Sequence, residues 1–327
     1  MNTGVKIAAF ATALAATFGT AYGVGQGVGP VVAEERPAAE HGEHEGPKPG
    51  KDKAAAPAPE PPGGLQIAEG GYALALETPR IEAGDRTELR FSVKDDSGRK
   101  VTAYRREHGK ELHFIVASRD LTVYRHLHPT RAADGTWSTP AELPAAGGYR
   151  VFADFKPAKP GAEGVTLGAD LAVGGDYEPT GLPPVKATAE VDGYEVTLAG
   201  GLRPGVAREL KLSVTKDGKA VTDLQPYLGA YGHLVALRSG DLAYLHVHPN
   251  GEPGDGVTEA GPEVSFTATA PSSGAYRLFL DFRHEGKVRT AAFTVNAGSG
   301  GADAGDAGAG DAGAGDAEKG ETGDHAH

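Results

Sequence analysis

Two segments concentrate the side chains best suited to chemistry. GHLVALRSGDLAYLHVHP, Gly232 to Pro249, holds His233, His246 and His248, and ELHFIVASRDLTVYRHLHP, ending at Pro129, aligns with it without a gap at an offset of 120. His113, His126 and His128 therefore fall on those three. Imidazole nitrogen is a ligand for Zn(II), Cu(II) and Ni(II), and three histidines with a carboxylate or water complete a four-coordinate shell. The candidate carboxylates are Asp154 in FADF and Asp281 in FLDF, either as a fourth ligand or as a partner that fixes a histidine tautomer. Cu(I) is less suited, because soft sites take Met and Cys and the chain has only Met1 and no Cys. The same pattern also fits a structural corner, with imidazoles bonded to backbone carbonyls and proline ending the strand. A catalytic or pH-sensing cluster is a third use.

These histidines need strands to position them. Residues two apart on a strand share a face, which puts His246 with His248 and His126 with His128. If the turn RSGD closes so that Leu237 faces Leu242, His233 stands across from His246, with Cβ atoms about 4.5–5.5 Å apart. The equivalent register sets His113 across from His126. Each repeat is thus expected to carry its own three-imidazole site, and repeat two is the safer one, because repeat one is flanked by Arg105, Arg106, Lys110 and Arg125.

The repetition extends well beyond the histidines. TELRFSVKDDSGRKVT answers RELKLSVTKDGKAVT, and GGYRVFADF answers GAYRLFLDF, setting Tyr149 on Tyr276 and Asp154 on Asp281. Short alternating runs such as LRFSV, HFIVA, YRVFADF and VSFTATA lie between Gly, Pro and Asp, and no window sustains a helical period. The expectation is an all-β chain of two tandem Ig-like antiparallel β-sandwiches, residues 65–176 and 192–297, joined by a linker at 177–191. PAAGGYRVF and PSSGAYRLF fit tyrosine corners. Trp137 reads as a strand-face packing residue, and Asp95-Asp96-Ser97-Gly98 and Lys216-Asp217-Gly218 read as hairpin turns.

The flanks differ in kind. Lys6 precedes the apolar run Ile7 to Val32, which reads as a signal anchor or a cleaved signal peptide over residues 1–32. Residues 33–64 read as a disordered Pro/Ala/charge spacer and 298–327 as a disordered Gly/Ala/Asp tail; each carries a histidine pair, His41 with His44 and His325 with His327. The formal charge of −12 is concentrated in these flanks. With no basic patch, nucleic acid is not an expected partner. Zero cysteine removes disulfides and thiol chemistry. The expected partners are a metal ion and, through the N-terminal helix, a membrane, with a cell-surface or envelope protein left unspecified.

YLGAYGHLVALRSGDLAYLHVHP and the YRVFADF and VTLGADLAV blocks resemble a largely uncharacterised family of membrane-anchored or secreted proteins of high-GC bacteria, some of them described as heavy-metal-binding. The resemblance covers residues 1–32 and 70–297. It implies an extracytoplasmic place and a link to metal. More distantly, the chain resembles small periplasmic Ig-like copper-resistance domains, but it lacks their ligating N-terminal histidine. No nucleophile elbow, P-loop, dinucleotide fingerprint or HExxH occurs. The expected function is non-enzymatic: binding of a divalent transition metal, Zn or Cu foremost, through His113, His126, His128 and Asp154 and through His233, His246, His248 and Asp281. The alternative is an Ig-like cell-surface interaction or spacer module whose histidines are structural.

Overall fold

The computed structural model describes residues 62–298, apart from His246 and the side chain of His248. All of these belong to one compact unit, Pro59–His327. The expected N-terminal anchor or signal segment, most of the spacer and the tail, with their histidine pairs, lie outside the described residues. Among the described residues no helix is long and apolar enough to cross a membrane.

Alternation in sequence becomes two-layer packing. In repeat one, one sheet runs β1 (Ala68–Glu69), β2 (Tyr72–Leu76), β4 (Arg86–Asp95), β9 (Thr136–Glu142), β8 (Thr130–Arg131). The other runs β3 (Arg80–Glu82), β11 (Val165–Gly174), β10 (Gly147–Pro157), β6 (Leu112–Ser118), β7 (Tyr124–Leu127), with β5 (Tyr104–Arg105) on β10. Leu89, Phe91 and Val93 alternate inward along β4, and Phe91 stacks on Phe114 of the opposite sheet at 4.3 Å. Trp137 is buried in this core and donates its indole N–H to the Tyr104 hydroxyl at 3.3 Å.

Repeat two follows the same plan. One sheet joins β12 (Thr188–Val191), β13 (Tyr194–Ala199), β14 (Ala207–Lys216), β19 (Glu263–Thr269) and β18 (His248–Pro249), with β15 (Lys219–Ala220) on β14. The other joins β17 (Tyr244–Leu245), β16 (Gly232–Arg238), β20 (Gly274–His284) and β21 (Lys287–Ala297). β12 adds a strand inside the segment read as linker. Both tyrosine corners form: the Tyr149 hydroxyl donates to the Ala145 carbonyl and the Tyr276 hydroxyl to the Ser272 carbonyl, each at 2.8 Å. The chain is all-β, two Ig-like sandwiches in tandem.

Among the strands named above, one pairing departs from the antiparallel expectation. β3 runs parallel to β11, because the chain changes sheets at Pro79, whose missing N–H suits a break in the ladder.

The second sheets of the two repeats pack against each other. Ile115, Ala117, Val235 and Leu237 face outward from their own sandwiches, yet all are fully buried in a third apolar cluster. There Tyr124 stacks on Phe279 at 4.0 Å, and Phe152 approaches Tyr244 at 5.7 Å. Since Tyr124 aligns with Tyr244 and Phe152 with Phe279, the two contacts are a mirrored pair. The segment preceding β1 is stitched into this seam: Gly64 donates to the Thr166 carbonyl at 2.7 Å and Tyr244 donates to the Gly63 carbonyl at 3.0 Å.

Candidate metal centre

β6 carries His113 and β7 carries His126, with His128 just beyond β7, in a register two residues away from the expected one. His126 lies opposite Ile115, where the turn arithmetic set it opposite His113, and in repeat two Leu237 pairs with Tyr244 where Leu242 was expected. The loops explain the shift. Leu121 and Leu242 adopt left-handed φ values of 59° and 63° and point into the seam, both almost fully buried. Asp120 holds the repeat-one loop through Ser118 and Thr122. The loop closed by Leu237 and Tyr244 is therefore two residues longer than the expected RSGD turn, and the added length buries a leucine. A slip of one residue would have turned the histidines to the other face, whereas a slip of two keeps them where the pattern set them.

A second correction concerns the HxHP ends. Tyr244–Leu245 and His248–Pro249 belong to different sheets, His248 pairing with Thr267 of β19, so they do not form one strand. Repeat one does the same between β7 and β8. The segment is the crossover from one layer to the other. His246 lies outside the described residues, as does the His248 side chain.

The largest difference is that the expected two sites meet. His233 of repeat two lies 5.3 Å from His113, ring to ring and nearly parallel, and 4.7 Å from His126. His113, His126 and His128 bring one ring nitrogen each within 4.8 Å of one another, and His126, His233 and Asp281 do the same with their ligand atoms. The described cluster therefore draws on both repeats and sits at one end of the apolar seam.

Hydrogen bonding sets the tautomers. Asp281, 2% exposed, accepts from Thr290 Oγ1 at 2.5 Å and from His126 Nδ1 at 2.8 Å. The Glu107 carbonyl accepts from His113 Nε2 at 3.3 Å. Carboxylate and carbonyl only accept, so His126 Nδ1 and His113 Nε2 carry the protons. Their other nitrogens, His126 Nε2 and His113 Nδ1, face each other across 3.2 Å, and in neutral rings of these tautomers both carry lone pairs. Two ligands at Zn–N distances of about 2.0–2.1 Å on a tetrahedral ion stand about 3.3 Å apart. Nearby, His128 Nε2 and His233 Nδ1 are buried with no hydrogen-bond partner among the described residues.

A proton is poorly held there. Burial, and then the neighbouring His126, push His113 down to about 3. Burial pushes His128 to about 4, with His126 and Lys110 adding to it, and burial holds His233 well below the ordinary value. Desolvation leads in every case and repulsion among the imidazoles comes second. Of the flanking cations, Lys110 acts on His128, while Arg125 turns to the Tyr124 carbonyl.

The other expected carboxylate, Asp154 of β10, stands opposite His113 of β6. Asp154 takes the Thr166 hydroxyl at 3.0 Å and the Tyr244 hydroxyl at 3.4 Å and belongs to neither described ligand group. It lines, with His113 and His233, a cavity of about 20 Å³, room for about one water-sized species. His108 lines it too, its ring 6.1 Å from His113 and 6.0 Å from His233. Reasoning from the repeat missed His108, since repeat two has Leu228 at that place. The signal was local: His-Gly at 108–109 forms a two-residue turn with both φ values positive, as an x-Gly pair favours.

Residues 66–163 and 189–299 match a family described as a domain of unknown function, DUF8832. The chain belongs to the DUF8832 family. One DUF8832 match contains His113, His126 and His128, and the other contains His233 and Asp281, so the described cluster spans both. No curated protein matches the chain. Among solved structures, it is similar to the Escherichia coli adhesin FdeC at 15% identity and TM-score 0.21, covering 70% of this chain and 64% of that one. For Yersinia pseudotuberculosis InvD the values are 15%, 0.21, 69% and 57%, and for a marsupial T cell receptor 13%, 0.21, 70% and 96%. The chain thus spans less than two thirds of the length of FdeC or InvD.

Proposed function

We propose that the chain binds a divalent transition metal, Zn(II), Cu(II) or Ni(II), at the shared imidazole cluster. His113 Nδ1, His126 Nε2 and His128 Nε2 are the ligands, with His233 beside them and Asp281 orienting His126. The observation that carries this reading is the convergence of ring nitrogens from His113, His126 and His128 within 4.8 Å of one another, with His128 Nε2 and His233 Nδ1 buried and unpartnered among the described residues. A buried polar atom left unpaired costs about 1–3 kcal/mol, and a cation among them removes that cost. An all-nitrogen set without thiolate or thioether favours these ions over Cu(I). The role is metal handling or sensing outside the cytoplasm, an assignment supported by the apolar run 7–32 and its single preceding lysine.

The test is titration of the full-length, tag-free protein after chelator treatment, read by calorimetry and native mass spectrometry. Saturable binding of Zn, Cu(II) or Ni is expected, weakened at least tenfold by His126→Gln. Less than about a tenth of an equivalent of any of the three ions would overturn the proposal. A second reading, structural histidines in an Ig-like interaction module, draws on the His113–Glu107 and His126–Asp281 bonds. It predicts that His126→Gln and His128→Gln together destabilise the chelated protein by about 2 kcal/mol or more. The metal reading expects their effect on stability chiefly when metal is present.

A further inference from the structure

The duplication supplies an internal comparison at the seam's periphery, away from the histidines. In repeat one, Arg150 is buried and satisfied: Nη1 meets Asp170 at 2.8 Å, Nε donates to the Gly64 carbonyl at 2.7 Å, and Nη2 donates to the Leu65 carbonyl at 2.9 Å. Gly64 and Leu65 belong to the segment stitched along the edge of β11. Its approach is close enough that a Cβ at Gly168 would stand 2.0 Å from the Gly64 oxygen.

Repeat two keeps the arginine without the carboxylate and carbonyls of repeat one, its guanidinium lying 5.8 Å from the centre of the Phe279 ring. Arg277 aligns with Arg150, but the residue across from it is Thr294, where repeat one has Asp170. Its one hydrogen bond among the described residues is to Thr294 Oγ1 at 2.9 Å, and its Nε is buried and unpartnered. Ala292 stands where Gly168 does, and its methyl keeps a backbone from approaching as Gly64 does. The linker, whose Pro183-Pro184 repeats Pro61-Pro62, instead bonds further along the edge of β21, Lys186 N to the Thr294 carbonyl. What remains is a groove of about 350 Å³ lined by Arg277, Thr290, Ala292, Thr294, Lys186 and Glu190. Glu190 makes no ion pair with Arg277 among the described residues.

A half-buried guanidinium without a carboxylate, in a groove closed to close backbone approach, calls for an acid carried on a side chain. The chain supplies one nearby. β21 ends at Ala297, and the residues that follow repeat Gly, Ala and Asp, with Asp303, Asp306, Asp311 and Asp316 spaced among side chains no larger than methyl. At about 3.3–3.6 Å per residue, Asp303, six residues beyond Ala297, already reaches about 20 Å, whereas Thr294 lies only about 10 Å back along the strand. Residues 298–327 carry seven acids against one lysine, complementary to Arg277 and Lys186.

We propose that an aspartate within residues 303–316 docks in this groove and pairs with Arg277 of the same chain. The inference is independent of the metal reading.

Hydrogen exchange of the full-length protein in chelator, with millisecond labelling, tests it. Amides within 301–316 are expected to exchange at least tenfold more slowly than in a free peptide of residues 299–327. Protection should be lost on Arg277→Gln, on Asp-to-Asn replacement at 303, 306, 311 and 316, and on Thr294→Asp. The last gives Arg277 the internal carboxylate that Arg150 has, so it frees the tail without stripping the arginine of a partner. Free-peptide exchange rates in the parent protein, or protection that survives both Arg277→Gln and Thr294→Asp, would overturn the proposal. So would protection that grows with protein concentration, which would mean that a second copy supplies the tail.

Discussion

Acidifying the metal-free protein tests whether the imidazoles are buried together. An unfolded chain protonates its histidines near 6.5, whereas the fold holds His113 at about 3 and His128 at about 4. Both are lowered, so the unfolded state takes up protons first. Their contribution to stability is complete above about 6.5 and drains away as pH falls from there, until the folded imidazoles also charge near pH 3 to 4. At pH 5 an unfolded histidine has gained about 2 kcal/mol from protonation while a folded one has gained almost nothing. Because His128 is only partly buried, its share is discounted, and the pair sums to about 3 kcal/mol. His233 acts in the same direction. Against a typical stability of about 5–15 kcal/mol, that is a large fraction. Urea unfolding in chelator at several pH values between 7.5 and 5 measures it directly. A change below about 1 kcal/mol across that range would refute the burial of these rings, and with it the shared cluster.

Three further outcomes follow from individual contacts. Asp281→Asn should weaken metal affinity by about 10- to 100-fold, the usual effect of losing a carboxylate behind a ligating histidine; competition against a chromophoric chelator reads this, and an unchanged affinity would remove Asp281 from the centre. His233→Phe keeps the ring stacked on His113 and removes a buried, unpartnered nitrogen, so the chelated protein should gain about 1 kcal/mol while metal-dependent stabilisation falls; a loss of chelated stability would show that Nδ1 has a partner. Tyr276→Phe breaks the corner bond to Ser272 and should cost about 1 kcal/mol in denaturant unfolding, with metal affinity unaltered.

Strands and corners were legible because each depends on spacing along one short stretch. Phe91 and Val93 alternate with the polar Arg90, Ser92 and Lys94, and Tyr149 and Tyr276 follow glycine turns. The register was not legible, since it depends on Leu121 and Leu242 taking left-handed backbone to enter a seam whose existence the turn residues do not reveal. Nor was the convergence of His113 with His233. Repetition shows that two sandwiches are alike, and says nothing of which faces meet. A signal did exist: Leu112–Ser118 is buried at every position, and LHFIVA and HLVAL read as continuous apolar runs, the mark of a strand covered on both sides.

The mirrored contacts of Tyr124 on Phe279 and Phe152 near Tyr244 have the form of an isologous interface, in which one surface patch meets its own copy. Two separate, identical sandwiches joined this way would have to accept every substitution twice, once on each side of the axis. A single chain is free of that constraint. His108 opposite Leu228, Asp170 opposite Thr294 and Gly168 opposite Ala292 are departures that a symmetric pair could not hold on one side alone. Fusion has therefore given each end of the seam its own chemistry while the apolar middle stays symmetric.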